Sequence, residues 1–244
     1  MTTSDAPTGT TPVRYRLPDP PEREYDEVTA QRYVYIPGAP PNLALHYGLP
    51  ETMLQAGDEW IAASPGSRPL LRPDLLIAFD VDPDLYWEQN GYVISDQGKP
   101  PDFVLEVASK STAERDVGYK RVEYAAMGIP EYWRFDHTGG WHGAKLAGDR
   151  LVGTQYEPIP IVEVEAGVFE GSSEVLNLTL RWKDSELFWV DPATGQPIPG
   201  VADERAARLE AEALARLAET RAQEAEARTQ ALEAELRRLQ QRPD

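Results

Sequence analysis

The stretch from Asp102 to Asp136 constrains the fold most. It reads as strand, helix, strand: "DFVLEVA", then "STAERDVGYKRVEYAAMG", then "EYWRFD". The first segment has strand length and strand composition. The second opens with a capping box, Ser111 and Glu114, and closes with Gly128 and Pro130, which predicts a helix from about Thr112 to Met127. A strand, a helix and a second strand in that order fit a crossover unit within a sheet.

Two charges sit where this pattern disfavours them. Glu106 lies inside the apolar run of the first strand, where an ionised carboxylate is costly unless it is paired or binds a cation. On the helix, Ala113, Val117, Tyr124 and Met127 fall along one stripe at 100° per residue, and Lys120 lies in its middle. A carboxylate and an ammonium on the inner sides of consecutive elements suggest a site. The plainer alternatives are a structural pair of Glu106 with an arginine, and a Lys120 that snorkels outward or pairs with Asp116 one turn earlier. Tyr124 and Trp133 read as core.

The rest of the chain divides by composition. Residues 1–30 are rich in Thr, Pro and charge and read as extended or disordered. "RYVYIP" from Arg32 suits a first strand or an arm, and "PNLALHYGLPETMLQAG" carries short helical patterns broken by Pro50. "PDLLIAFDV" from Pro73 is a strong strand, and "PDLYWEQNGYVISDQGKPP" reads as a long connection. After Asp136, "WHGAKL", "RLVGTQY", "PIPIVEV", "VLNLTLRW" and "LFWVD" read as short strands forming hairpins. The expected fold is therefore α/β, a mixed β-sheet flanked by helices with extra short β-hairpins. Residues 31–199 form the core domain, and 201–241 form a long C-terminal helix of Ala, Glu, Arg, Leu and Gln. Leu232, Leu236 and Leu239 keep coiled-coil spacing, but Leu209, Leu214 and Leu217 leave that register. The tail is either a solvated helix or a weak coiled coil that makes a homo-oligomer.

Composition narrows the function classes. The chain has no cysteine, so a disulfide framework and thiolate metal sites are excluded. Its formal net charge of −17 argues against general coating of nucleic acid. The segment from Lys99 to Arg134 is locally neutral, which permits a polyanion there. No stretch suits a membrane span or a secretory signal, so a cytoplasmic protein is expected. His46, His137 and His142 show no metal-ligand pattern, and His137 and His142, which flank a Gly-Gly turn, read as surface residues. Phosphate-binding loops, dinucleotide glycine signatures and nucleophile elbows are missing from the sequence.

Two carboxylates on adjacent strands with a nearby lysine form a recurring device for phosphodiester hydrolysis. The acids hold a hard divalent cation and the lysine stabilises charge at the phosphate. Asp74 at the head of "LLIAF", Glu106 and Lys120 supply these parts.

"RPDLLIAFDV" followed by "PDFVLEVASKSTAERDVGYKRVEYAAMGIPEYWRFD" resembles the bacterial restriction-endonuclease family often called Uma-two, of the PD-(D/E)XK nuclease superfamily. The resemblance spans roughly residues 33–190. It implies a restriction-endonuclease-like core and Mg²⁺-dependent DNase activity, with Mn²⁺ as a substitute. By position, Asp74 is the first motif acid and Glu106 the second. The superfamily lysine is expected two residues after the second acid, where this chain has Ala108, and Lys120 is the implied replacement. The Val107 carbonyl is an implied further metal ligand. Glu51 is the candidate for an additional N-terminal glutamate, and Lys110 a candidate phosphate contact. The expected function is thus Mg²⁺-dependent cleavage of DNA. The alternatives are a catalytically inactive nuclease-fold scaffold that oligomerises through its C-terminal helix, and a helix-tethered regulator that binds nucleic acid.

Overall fold

The computed structural model describes residues 15–22 and 29–240, and in the last helix the side chains of 201, 203 and 205–229. The expectation for residues 1–30 falls mostly on 1–14 and 23–28, outside the described residues. Residues 15–22 run without regular structure, yet Leu17 is buried against Ala62 and Val93.

Twelve strands are described: β1 (Leu54–Ala56), β2 (Trp60–Ala62), β3 (Leu75–Ala78), β4 (Gly91–Val93), β5 (Phe103–Val107), β6 (Glu131–Phe135), β7 (Leu146–Val152), β8 (Gln155–Ile159), β9 (Val162–Glu165), β10 (Val168–Ser173), β11 (Leu178–Lys183) and β12 (Glu186–Val190). Six of them form a mixed sheet in the order β1-β3-β5-β6-β7-β8. Only β5 and β6 run parallel in it, joined by the crossover helix, and the other neighbours are antiparallel. Strands β12-β11-β10-β9 make an antiparallel meander, and β2 pairs with β4 in parallel.

The central strands β3, β5 and β6 are buried along their whole length, as expected for strands covered on both faces. Their alternation assigns the two faces. Leu75, Ile77, Phe103, Leu105, Val107, Trp133 and Phe135 join one core cluster with the inner side chains of the meander, including Leu180, Trp182 and Trp189. Leu76, Ala78, Val104 and Tyr132 join the opposite cluster, with Tyr124 of the crossover helix. Glu106 is in step with Val104 and therefore faces the helix.

Several local expectations change. The "RYVYIP" segment is a π-helical turn, Gln31–Tyr35, because Tyr33 and Val34 bury against the core. Tyr33 packs 5.5 Å from Phe135. The expected connection after Asp82 contains a helix, Pro83–Gln89, strand β4, and a helical turn, Ile94–Gln97. Asp82 caps the first of these by accepting from the N–H groups of Asp84 and Leu85. Strand β10 was not anticipated, and Trp141 to Lys145 bends rather than pairs. The C-terminal helix is Val201–Gln240. No helix among the described residues is long and apolar enough to cross a membrane.

Candidate active site

The crossover helix, residues 113–126, positions most of the site. Its middle is a π turn, Asp116–Lys120, between α-helical ends. The wide turn resets the buried stripe: Ala113, Asp116, Lys120 and Tyr124 face inward, while Val117 is 42% exposed. Val117 was expected inside and Asp116 was not. The Tyr132 hydroxyl donates to the Asp116 carbonyl at 2.8 Å and anchors the head of the turn to the sheet. The helix starts one residue later than the expected Ser111–Glu114 capping box would place it. Thr112 precedes the first helical residue and makes no side-chain cap, and its own N–H donates to the Ser109 hydroxyl at 3.3 Å.

Asp74 and Glu106 meet at the end of the antiparallel β3–β5 pair. Leu75 lies opposite Leu105, so the next step along the register brings Asp74 alongside Glu106. The Asp74 Oδ2 accepts from the Val107 N–H at 2.7 Å, which ties the first acid to the second strand. The Tyr35 hydroxyl donates to the Asp74 carbonyl at 2.8 Å. Gly57 makes this contact sterically accessible: a Cβ there would overlap both the Tyr35 hydroxyl and the Asp74 carbonyl.

Lys120 closes the cluster. Its ammonium stands 2.9 Å from Glu106 Oε1 and 2.8 Å from Asp116 Oδ1. Both the site contact and the plainer i,i+4 pair are therefore made at once. Tyr124, expected only as core, is fully buried and donates to Glu106 Oε1 at 2.7 Å. Asp116 also accepts from Thr112 Oγ1 at 3.0 Å and lies 3.2 Å from His142 Nε2. An ionised carboxylate has no proton to give, so Nε2 is the donor of that contact.

His142 corrects the surface reading of the histidines. It is buried, and its N–H and that of Trp141 donate to Asp136 Oδ2. His137 is half-buried, stacked 4.5 Å from Tyr33. Glu51 and Lys110 are exposed, and Glu51 occupies a turn before β1. Arg134, opposite Glu106 in the β5–β6 register, pairs instead with Asp149 at 2.8 Å, so the arginine alternative for Glu106 is not the one adopted.

The electrostatics follow from burial. Glu106 is essentially sealed from water, and desolvation outweighs the adjacent Lys120, pushing its carboxyl up to about 8; Asp116 and Asp74 add to the rise. Burial opposes ionisation of Asp116 too, but His142 and Lys120 more than offset it and hold the carboxyl below its usual value. Burial disfavours the Lys120 ammonium, yet Glu106, Asp116 and Asp74 together raise it above its ordinary value. Lys120 is therefore charged at neutral pH. As a cation it can stabilise negative charge.

Known proteins place this geometry in context. A crystal structure titled "putative nuclease belonging to DUF820" from Anabaena variabilis ATCC 29413 is similar over 60% of this chain and 76% of that chain, with 12% identity and a TM-score of 0.37, a likeness too slight to carry an argument. No curated protein matches. The model of one family, described as "Putative restriction endonuclease", matches residues 46–182, a span that contains Asp74, Glu106, Lys120 and His142. That match covers more than half of the 244 residues, and the chain belongs to the Uma2 family.

Proposed function

We propose that this protein is a divalent-cation-dependent endonuclease that hydrolyses DNA phosphodiester bonds. The observation that carries the reading is the Lys120 ammonium held 2.9 Å from the buried Glu106 carboxylate, on the face where Asp74 joins the same strand end.

The residues suit a hard cation. Asp74, Glu106 and Asp116 all act on the single ammonium of Lys120, so full ionisation leaves about two uncompensated negative charges in a desolvated site. The donors are carboxylate oxygens, to which the Val107 carbonyl adds a neutral one, the set that Mg²⁺ prefers. Asp74, Glu106 and Val107 would hold the ion. When bound, it supplies Lewis-acid activation of the scissile phosphate and of the attacking water. Lys120 stabilises the charge that develops on the phosphate, and Asp116 holds it in place. Tyr124 fixes the Glu106 carboxyl, and Val107 N–H fixes that of Asp74.

Thermal unfolding with and without Mg²⁺ or Mn²⁺ tests this before any cleavage is sought. A ligand present at 100 times its Kd adds about 2.7 kcal/mol of stability. The melting temperature of the wild type should rise, and that of Asp74→Asn should not. An unchanged wild-type transition with both ions would remove the cation from the account.

A second reading is a nuclease-fold module that does not cut and works as a scaffold. Among the described residues, no group of three or more His, Cys, Asp or Glu is arranged to hold a metal ion, which favours it. Leu209, Leu214 and Leu217 are exposed on the C-terminal helix and would serve self-association. Truncation after Gly200 separates the readings: a nuclease keeps its activity, whereas a scaffold loses its assembly.

A further inference from the structure

A cavity of about 270 Å³ opens beside the buried cluster, and its walls include Trp60, Leu70, Leu71, Arg72, Arg115 and Lys120. These walls belong to the two segments that carry the site: 70–72 leads directly into Asp74, and Arg115 and Lys120 lie on the crossover helix. The lining combines aromatic and aliphatic side chains, Trp60, Leu70 and Leu71, with three cations, Arg72, Arg115 and Lys120. Arg72 is fixed as part of the wall, donating through Nε to the Asp58 carbonyl and through Nη1 to that of Pro21, both at 2.7 Å.

We infer that this cavity receives one unpaired nucleotide of the substrate strand, with the base against Trp60 and the phosphate toward Arg115 and Lys120. The inference rests on the nuclease reading and names its substrate class as single-stranded or locally unpaired DNA. Burial is the reason. Asp74 is 2% exposed, Glu106 1% and Lys120 8%, so a phosphate in a rigid duplex cannot be laid against them. The cavity beside them, which reaches Lys120, is small even among ligand pockets, which run about 300–1,000 Å³. An intact base pair is too large for that space, whereas one nucleotide drawn out of the stack suits it. The lining offers aromatic and aliphatic surface for a base and cationic groups for a phosphate, and base–aromatic stacking tolerates any sequence.

The test measures binding without turnover. Fluorescence anisotropy in EDTA compares a short single-stranded DNA oligonucleotide with the blunt duplex of the same sequence. The wild type should bind the single strand at least about tenfold more tightly. Trp60→Ala should weaken single-strand binding by about tenfold, within the range of one lost stacking contact, and Trp60→Phe should restore most of it. Arg115→Ala, an exposed position, should reduce the salt slope of log K by about 0.7, the value for one phosphate contact on a single strand. Equal affinity for the two forms, or no effect of Trp60→Ala and Arg115→Ala, would overturn the inference. The two claims fail separately. Duplex cleavage indifferent to Trp60 keeps the nuclease and removes the pocket. Trp60-dependent strand binding without metal-dependent cleavage keeps the pocket and removes the nuclease.

Discussion

Replacing Glu106 by Gln should change how stability depends on pH, and the sign is fixed by burial. The folded protein holds the Glu106 proton up to about pH 8, while the unfolded chain releases it near the ordinary glutamate value of 4.5. Between those values the native state binds the extra proton, so stability falls as pH rises. One proton gives at most about 1.4 kcal/mol per pH unit, so two units within the window remove up to roughly 2.7 kcal/mol. Other groups act differently. Asp116 and Asp136 are held below their usual 3.8, so the stability they contribute is lost only in more acidic solution. Burial raises Glu59, which adds to the fall at the acid end, and lowers His137, which opposes it around 6.5. The difference between wild type and Glu106→Gln removes these shared contributions. The glutamine side chain keeps the shape and an acceptor for the Tyr124 hydroxyl, so the variant should fold. Urea unfolding in EDTA at several pH values between 5 and 8 measures the difference. The advantage of Glu106→Gln over the wild type should grow with pH, and a constant difference would refute the buried-carboxyl reasoning.

Three other substitutions probe the support of the site. Lys120→Met leaves Glu106 and Asp116 facing each other without a cation and should cost about 3–5 kcal/mol by chemical denaturation, the range for breaking a buried pair; a cost below about 1 kcal/mol would mean the pair is dispensable. His142→Ala deprives Asp116 of a donor, so its carboxyl should rise toward the ordinary value and the acid-unfolding limb should move to higher pH. An unmoved limb would deny His142 that role. Gly57→Ala forces the Tyr35 hydroxyl from the Asp74 carbonyl and should cost about 1–3 kcal/mol. Tyr35→Phe in the same background should then add little, since the two changes disrupt one contact.

The central part of the fold was legible because its signals are local and strong. β3 is an uninterrupted apolar run, β5 is one broken only by Glu106, and the crossover helix ends just before Gly128 and Pro130. Glu106 and Lys120 stood out for a related reason: each is a charge in an apolar pattern, and such charges need partners. Other features depended on contacts between distant segments. Tyr33 and Val34 have strand composition but form a helical turn, because packing against Phe135 overrides propensity. The π turn at 116–120 moves Val117 outward, which a uniform 100° period cannot register. His142 follows a Gly-Gly turn with nothing nearby to mark it as buried, and only Asp136 and Asp116 reveal its place. The helix after Asp82 was readable in principle, since Asp82 followed by Pro83 is a cap and first-turn signal.

Cleavage of a partly unpaired DNA in the presence of Mg²⁺ or Mn²⁺, compared among wild type, Asp74→Asn and Glu106→Gln, bears most directly on the central claim. The wild type should cut, chelator should suppress the cutting, and both folded variants should lose it. Cutting undiminished in either variant, or a wild type inert with both ions, would contradict that claim.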